Sequence, residues 1–379
     1  MINITQYLQD IYEDLQRYVD NDVCLCKFKE LNFEAGAFPD YEDINIQQLY
    51  LLRYAFAYAF EYSRMYLDVL SQMDDVNNIS VTSVGCGSMI DYWSLVHALE
   101  MKSKMDCSIR YVGIDIIDWN YKIPRRQNDE VHYLIRNAAD IFTNNSQFIS
   151  DVYFFPKSIS EFSDSELNAM ANSFSSKKIQ KNRFFVCISL REDQGSMDRD
   201  MQKTKCLIEA ISKNGFYTKW PYNRYAYYDC NDGIVSLDND FQYPQGALQF
   251  VTNLNMECVN YKIQEMNCQS DCQKYLSRWP ILRVKHIRYQ VIMFERMSYN
   301  RIKEGFLYVR NPMNAHQISE IKITPDIVDC IVFWTKNPLP MMKRLDEIKY
   351  YSYYFQFTLT GYGNDVEANL PNKKTTMIP

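Results

Sequence analysis

Two glycines one residue apart, Gly85 and Gly87, separate a β-branched run from a helical stretch, and an aspartate, Asp115, closes the next apolar run. Val81-Thr82-Ser83-Val84 reads as a strand. Paired glycines let the chain turn sharply and bring bare backbone amides against a ligand. The helix read from Tyr92 to Lys102 points its unpaired N–H groups and partial positive charge back at that turn. Ser108 to Ile114 is a second strand, and an acid at its end, Asp115, is placed to accept both hydroxyls of a ribose. The chemistry this order supports is the binding of a nucleoside cofactor. Cys86 between the glycines and Ile116 after the acid belong to the same two loops and are counted with them as cofactor-binding residues.

The spacing also discriminates among such cofactors. A dinucleotide site uses a third glycine three positions after the second and an acid about 20 residues further on. Here Ile90 occupies that third position, and Asp115 lies 28 residues past Gly87. A bulky β-branched residue disfavours the close approach a pyrophosphate needs, whereas S-adenosylmethionine (SAM) presents only an amino-acid head to the turn. The pattern therefore favours SAM and resembles the class I SAM-dependent methyltransferases. The resemblance implies that Gly85, Gly87 and Asp91 line the methionine moiety and that Asp115 binds the ribose. A dinucleotide site and a Rossmann-like scaffold with an eroded pocket stay open as alternatives.

The elements that must position these residues follow in order. The expected fold class is α/β, a Rossmann-like seven-stranded methyltransferase sheet with N-terminal helices, followed by a C-terminal partial βα-barrel-like fragment. Further strands are read at 132–136, 151–156 and 183–190, with closing strands from Gly246 to Thr252 and from Tyr289 to Phe294. Asp140, after the third strand, is the candidate for the adenine amino group or, equally, a helix N-cap. Ser163-Asp164-Ser165-Glu166 is a capping box. Met197 to Asn214 is helical in pattern, and Gly215 stops it.

Ahead of the sheet, Ile4 to Val19 and Ile46 to Met73 carry helical apolar spacing. Tyr50, Tyr54, Tyr58, Tyr62 and Tyr66 recur every fourth residue, as a packing stripe against the sheet or a lid over a substrate. The expected domains are a helical lid over 1–75, a SAM-binding domain over 76–297 and the fragment over 298–379.

The acceptor is narrowed mainly by what is missing. Phe154-Phe155-Pro156-Lys157 is not the Asn/Asp-Pro-Pro-aromatic run used for amino-nitrogen methylation of bases, and Cys187 sits inside a strand rather than in a Pro-Cys pair. Methyl transfer from a sulfonium needs mainly in-line positioning in a dry pocket, so no catalytic residue is assigned. The net charge of −6, with no Lys/Arg run longer than two, argues against bulk nucleic-acid binding. The expected acceptor is a small molecule or a protein. Apolar runs are strand-sized and the first residues lack a signal-like pattern, so a cytoplasmic protein without a membrane partner is expected.

Eleven cysteines read as reduced thiols. Cys258, Cys268 and Cys272, with Cys230 or His286 as a fourth ligand, form the one weak zinc candidate, because only Cys268-x-x-x-Cys272 approaches a metal knuckle.

The final third carries different phrases: Gly305-Phe306-Leu307-Tyr308-Val309-Arg310-Asn311-Pro312, then Phe333-Trp334-Thr335-Lys336-Asn337-Pro338, then Phe355-Gln356-Phe357-Thr358-Leu359-Thr360-Gly361. They resemble the N-terminal part of the bacterial domain-of-unknown-function family 1848. That resemblance implies a radical-SAM-like βα barrel with a cysteine cluster near its far end. The family's Ser-Arg-Arg-Thr-Asp opening and the cluster are both missing, so a truncated gene-fusion fragment is expected, with Leu339 to Lys349 as a helix. A methyltransferase is the leading function; a non-catalytic SAM-binding module and an inactive iron–sulfur remnant are the alternatives.

Overall fold

The computed structural model describes residues 3–21, 24–31, 39–73, 76–144, 147–174, 178–191, 194–214, 216–218, 226–229, 241–264, 276, 278–282 and 286–296, with strands further on at 305–311, 314–323, 358–359 and 366–367. Two helices lead: α1 (Ile4–Val19), whose N-terminal amides of Thr5 and Gln6 are capped by the Asn3 side chain, and α2 (Ile44–Ser71), capped likewise by Asp43. Then come β1 (Asn78–Val84), α3 (Ile90–Met101), β2 (Ser108–Asp115), β3 (Glu130–Ile135), α4 (Ala138–Asn144), β4 (Val152–Phe155), α5 (Asp164–Ser173) and β5 (Arg183–Ser189). The chain continues through α6 (Gln194–Lys213), β6 (Phe216–Thr218), β7 (Ala226–Asp229), α7 (Gln245–Gln264) and β8 (His286–Arg296). The capping box at Ser163 and Glu166 is formed as read.

These strands make one sheet in the order β3-β2-β1-β4-β5-β8-β6, with β7 also paired to β8. The first five are parallel, and β8 enters antiparallel to β5. β6 and β7 lie on successive stretches of β8, Thr218 opposite Phe294 and Ala226 opposite Tyr289, and together fill the last position. The fold is the expected α/β, Rossmann-like sheet with N-terminal helices.

Apolar side chains fill both faces. On one, Tyr66 of α2 stacks on Phe154 of β4 at 4.8 Å between ring centroids, alongside Trp93 and Leu95 of α3. On the other, Phe142, Phe174 and Phe184 cluster under α4, α5 and α6. Strands buried on both sides explain the near-continuous apolar runs of β4 and β5.

One closing strand is corrected. Gly246 to Thr252 lies inside helix α7. Its buried Ala247, Val251, Leu254 and Cys258 recur at helical spacing, and Phe250 packs edge-on against Tyr12 of α1. Over seven residues that run looked like a strand; only its continuation to Cys258 reveals the helical period. β6 and β7 supply the strand position instead.

In the C-terminal region the described backbone is an antiparallel hairpin, β9 (Gly305–Asn311) with β10 (Asn314–Ile323), and a short antiparallel pair, β11 (Thr358–Leu359) with β12 (Val366–Glu367). The first phrase is thus a strand, but its partner runs against it, whereas a βα step would place the next strand parallel. The Phe333–Pro338 phrase, the helix expected over 339–349 and the stop at Gly215 lie outside the described residues.

Candidate functional site

β1 is the switch point of the sheet: the chain continues to β2 and β3 on one side and to β4 and β5 on the other, and open α/β sheets bind ligands beside such a point, at the carboxyl ends of the strands. The β1 loop is tightly specified. Gly85 and Cys86 donate to the Ile114 carbonyl at 2.8 and 3.1 Å, and Gly87 N–H donates to the Asp115 carboxylate at 2.7 Å. The other Asp115 oxygen accepts from Ile117 N–H at 2.9 Å. Burial pushes the Asp115 carboxyl up, opposed by the N–H bonds from Ile117 and Gly87. A carboxylate offers about four lone-pair sites, so these two bonds leave capacity for two ribose hydroxyls.

The two glycines have different reasons to be there. Both hold positive φ, +71° at Gly85 and +53° at Gly87. A Cβ at Gly85 would stand 2.5 Å from the Ser158 Cβ, whereas at Gly87 it would meet only the Trp119 ring at 3.7 Å. Gly85 therefore permits the close approach of the β1 and β4 loops, tied by Ser158 Oγ donating to the Val84 carbonyl.

The remaining expected residues are placed unequally. Ile116, beside Asp115, is 68 % exposed and offers an apolar face at the carboxyl edge. Asp140 stands exposed in the first turn of α4, where its charge complements the helix end; the capping oxygen is Asn137 Oδ1, which accepts from Ala139 N–H at 2.8 Å. The Cys86 thiol is buried, within 2.7 Å of where a Gly113 Cβ would stand, and burial raises it well above its usual range. It packs the loop onto β2.

Asp91 is fully enclosed. Its two oxygens accept from the Tyr111 hydroxyl at 2.9 and 3.0 Å, so it braces α3 against β2 instead of presenting a carboxylate to a ligand. Desolvation by burial raises its carboxyl to about 7. An acid whose folded pKa is raised binds its proton more tightly in the folded state, so it subtracts stability progressively as pH rises from the ordinary carboxylate range to about 7. Asp91→Asn is expected to flatten the fall in denaturant midpoint between pH 4 and 7 relative to the parent chain; identical slopes would contradict this burial.

Sequence reasoning missed a second group. α2 runs along the carboxyl edge: Tyr50 contacts Trp119 in the loop after β2, with centroids 5.7 Å apart, and Glu61 reaches the ends of β4 and β5. There Lys157 Nζ lies 2.9 Å from Glu61 Oε2 and donates to the Leu190 carbonyl at 2.5 Å, while Ser189 Oγ donates to Glu61 Oε1. Lys157 has a φ of 56°, an uncommon conformation for a side-chain-bearing residue. Only the Pro156-Lys157 step after a strand signalled it.

The tyrosine stripe divides. Tyr62 and Tyr66 are buried against Phe154 as packing, whereas Tyr50, Tyr54 and Tyr58 keep part of their surface open at the edge. Near them, Glu161 is open to solvent, yet the protein around it pushes its carboxyl up to about 7.

Cys258 packs in the core on α7; Cys230, Cys268 and Cys272 lie outside the described residues. Among the described residues no cluster of His, Cys, Asp and Glu is arranged to hold a metal, and no helix is long and apolar enough to cross a membrane.

A family model described as a domain of unknown function (DUF1848) matches residues 293–378. Its first residues fall inside β8, where Met293 and Phe294 are buried in the sheet's two cores. No curated protein matches the sequence. Among solved structures, the plantazolicin methyltransferase BpumL in complex with SAH and a substrate analogue is similar at 11 % identity and a TM-score of 0.35, over 76 % of this chain and 99 % of that one. A sarcosine dimethylglycine methyltransferase assigned in Galdieria sulphuraria gives 11 % and 0.30, over 62 % and 85 %. A methyltransferase assigned in Bacillus halodurans gives 12 % and 0.30, over 61 % and 97 %. Likeness at this distance bears on no residue of the site.

Proposed function

We propose that the chain binds SAM at the β1 loop and transfers its methyl group to an acceptor held under α2. The observation that carries this is the closure of the Gly85–Gly87 turn by the strand-end acid, Gly87 N–H to Asp115 at 2.7 Å. Asp115 keeps lone pairs for the ribose, and exposed Ile116 offers the adenine ring an apolar face. Asp140, at the same sheet edge, is the candidate partner of the adenine amino group. A dinucleotide fits less well, because Ile90, buried at the start of α3, stands where a pyrophosphate site needs glycine.

SAM, when bound, supplies an electrophilic methyl on a sulfonium. The protein's part is to aim the acceptor in line and keep water out, which needs no covalent residue. The α2 tyrosines and the Lys157–Glu61 pair form the wall that does this.

We place the domain boundary after Arg296, because β8 is needed between β5 and β6. Calorimetry is expected to show saturable binding of SAM and S-adenosylhomocysteine (SAH) and none of NAD. A chain lacking 298–379 is expected to keep SAM affinity within about twofold, since the strand ends that form the crevice precede the cut. NAD binding in place of SAM would overturn the cofactor. Loss of SAM binding in a truncated chain with unchanged circular dichroism would make the C-terminal segment part of the pocket.

A further inference from the structure

Resting on that reading of the cofactor, we propose that the methyl acceptor is an amine, seated on the ring faces of Tyr41 and the α2 tyrosines Tyr50, Tyr54 and Tyr58, with Glu161 as its counter-charge. The rings form a continuous aromatic surface: Tyr41–Tyr50, Tyr50–Tyr54 and Tyr54–Tyr58 centroids are 5.3, 5.2 and 5.9 Å apart. All four tyrosines are part-open. Burial pushes the phenols of Tyr41, Tyr50 and Tyr58 above their usual range, so they remain neutral at working pH and serve as neither bases nor anions. What they present to a ligand is the negative face of the ring, which attracts a cation desolvated against it. The site already uses one ring this way: the Lys157 ammonium lies 5.8 Å from the Tyr58 centroid.

The charges agree. Glu161 lies within electrostatic reach of Arg191 just after β5, Asp115 at the end of β2 and Asp200 on α6, and its charge is felt by Tyr41, in the turn before α2, and by Tyr50 on α2. Lys157 is paired with Glu61, Arg191 acts on both Glu161 and Asp200, and Asp115 adds negative charge around Glu161. An acidic group beside the ring faces suits a cationic ligand, which favours its ionised form, and disfavours a carboxylate or phenolate acceptor.

The chemistry balances without another reactant. The nitrogen lone pair forms the N–C bond, the C–S bond breaks with its electrons passing to sulfur, and positive charge moves from sulfonium to the methylated nitrogen. A tertiary amine yields a quaternary ammonium directly. A protonated primary or secondary amine first gives its proton to the Glu161 carboxylate.

The test uses tetramethylammonium chloride as an unreactive stand-in for the methylated nitrogen, titrated calorimetrically into the full chain saturated with SAH. Saturable binding is expected. Tyr50→Leu is expected to weaken it at least about threefold, the scale of one cation–π contact, and Tyr50→Phe to restore it because the ring face returns. Glu161→Gln is also expected to weaken it, with SAH binding and circular dichroism reporting whether the cofactor site and fold persist. Absence of saturable probe binding in an SAH-loaded chain overturns the amine. So does an equal loss in the Leu and Phe variants, and binding of sodium benzoate instead would assign an anionic acceptor. Failure of SAH itself to bind overturns the cofactor reading, and the amine with it.

Discussion

On the proposed assignment, Asp115→Ala is expected to weaken SAM binding by at least about tenfold, because the two charge-assisted hydrogen bonds it would make to the ribose, each contributing roughly 1.5–3 kcal/mol, are lost together. The structure adds a second cause. The same carboxylate accepts from Gly87 and Ile117 N–H, so its removal also unties the turn that meets the ligand. Asp115→Asn keeps one acceptor oxygen and is expected to fall between the two. Calorimetry on variants with unchanged circular dichroism is the measurement, and an unaltered dissociation constant in Asp115→Ala would remove Asp115 from the site.

Gly85→Val is expected to be the most damaging single change in the fold. Its Cβ would stand 2.5 Å from the Ser158 Cβ, and the valine would be forced to a φ of +71°. Left-handed strain on a β-branched residue costs about 1–3 kcal/mol, and displacing the loop after β4 adds to it. A loss of about 3 kcal/mol or more in denaturant unfolding is anticipated. Gly87→Val carries the strain of its +53° φ but meets only the Trp119 ring at ordinary contact distance, so its cost to the fold should be smaller. The two variants should therefore separate, and equal midpoints would mean that β1 and β4 do not approach as described.

Much of the glycine turn was legible from the chain alone because its geometry is local. A glycine pair between a strand and a helix, and an acid closing the next strand, are set by neighbours a few residues away. The same holds for the capping box at Ser163 and for the apolar period of α1, whose bounds match the reading. For Asp91, proximity to a glycine turn does not say which way the side chain points. The packing of α3 on β2 turned it inward to Tyr111.

Other features depend on residues far apart in sequence. The pairing of Lys157 with Glu61 and Ser189 joins α2 to the ends of β4 and β5, and no local pattern announces it. The seven residues from Gly246 to Thr252 carry too short an apolar run to separate strand from helix, and contact with α1 decided it. Five tyrosines four apart established a helical face; only the packing of α2 determined that Tyr62 and Tyr66 are core while Tyr50, Tyr54 and Tyr58 keep part of their surface open. Periodicity specifies which residues share a face, and tertiary packing specifies what that face meets.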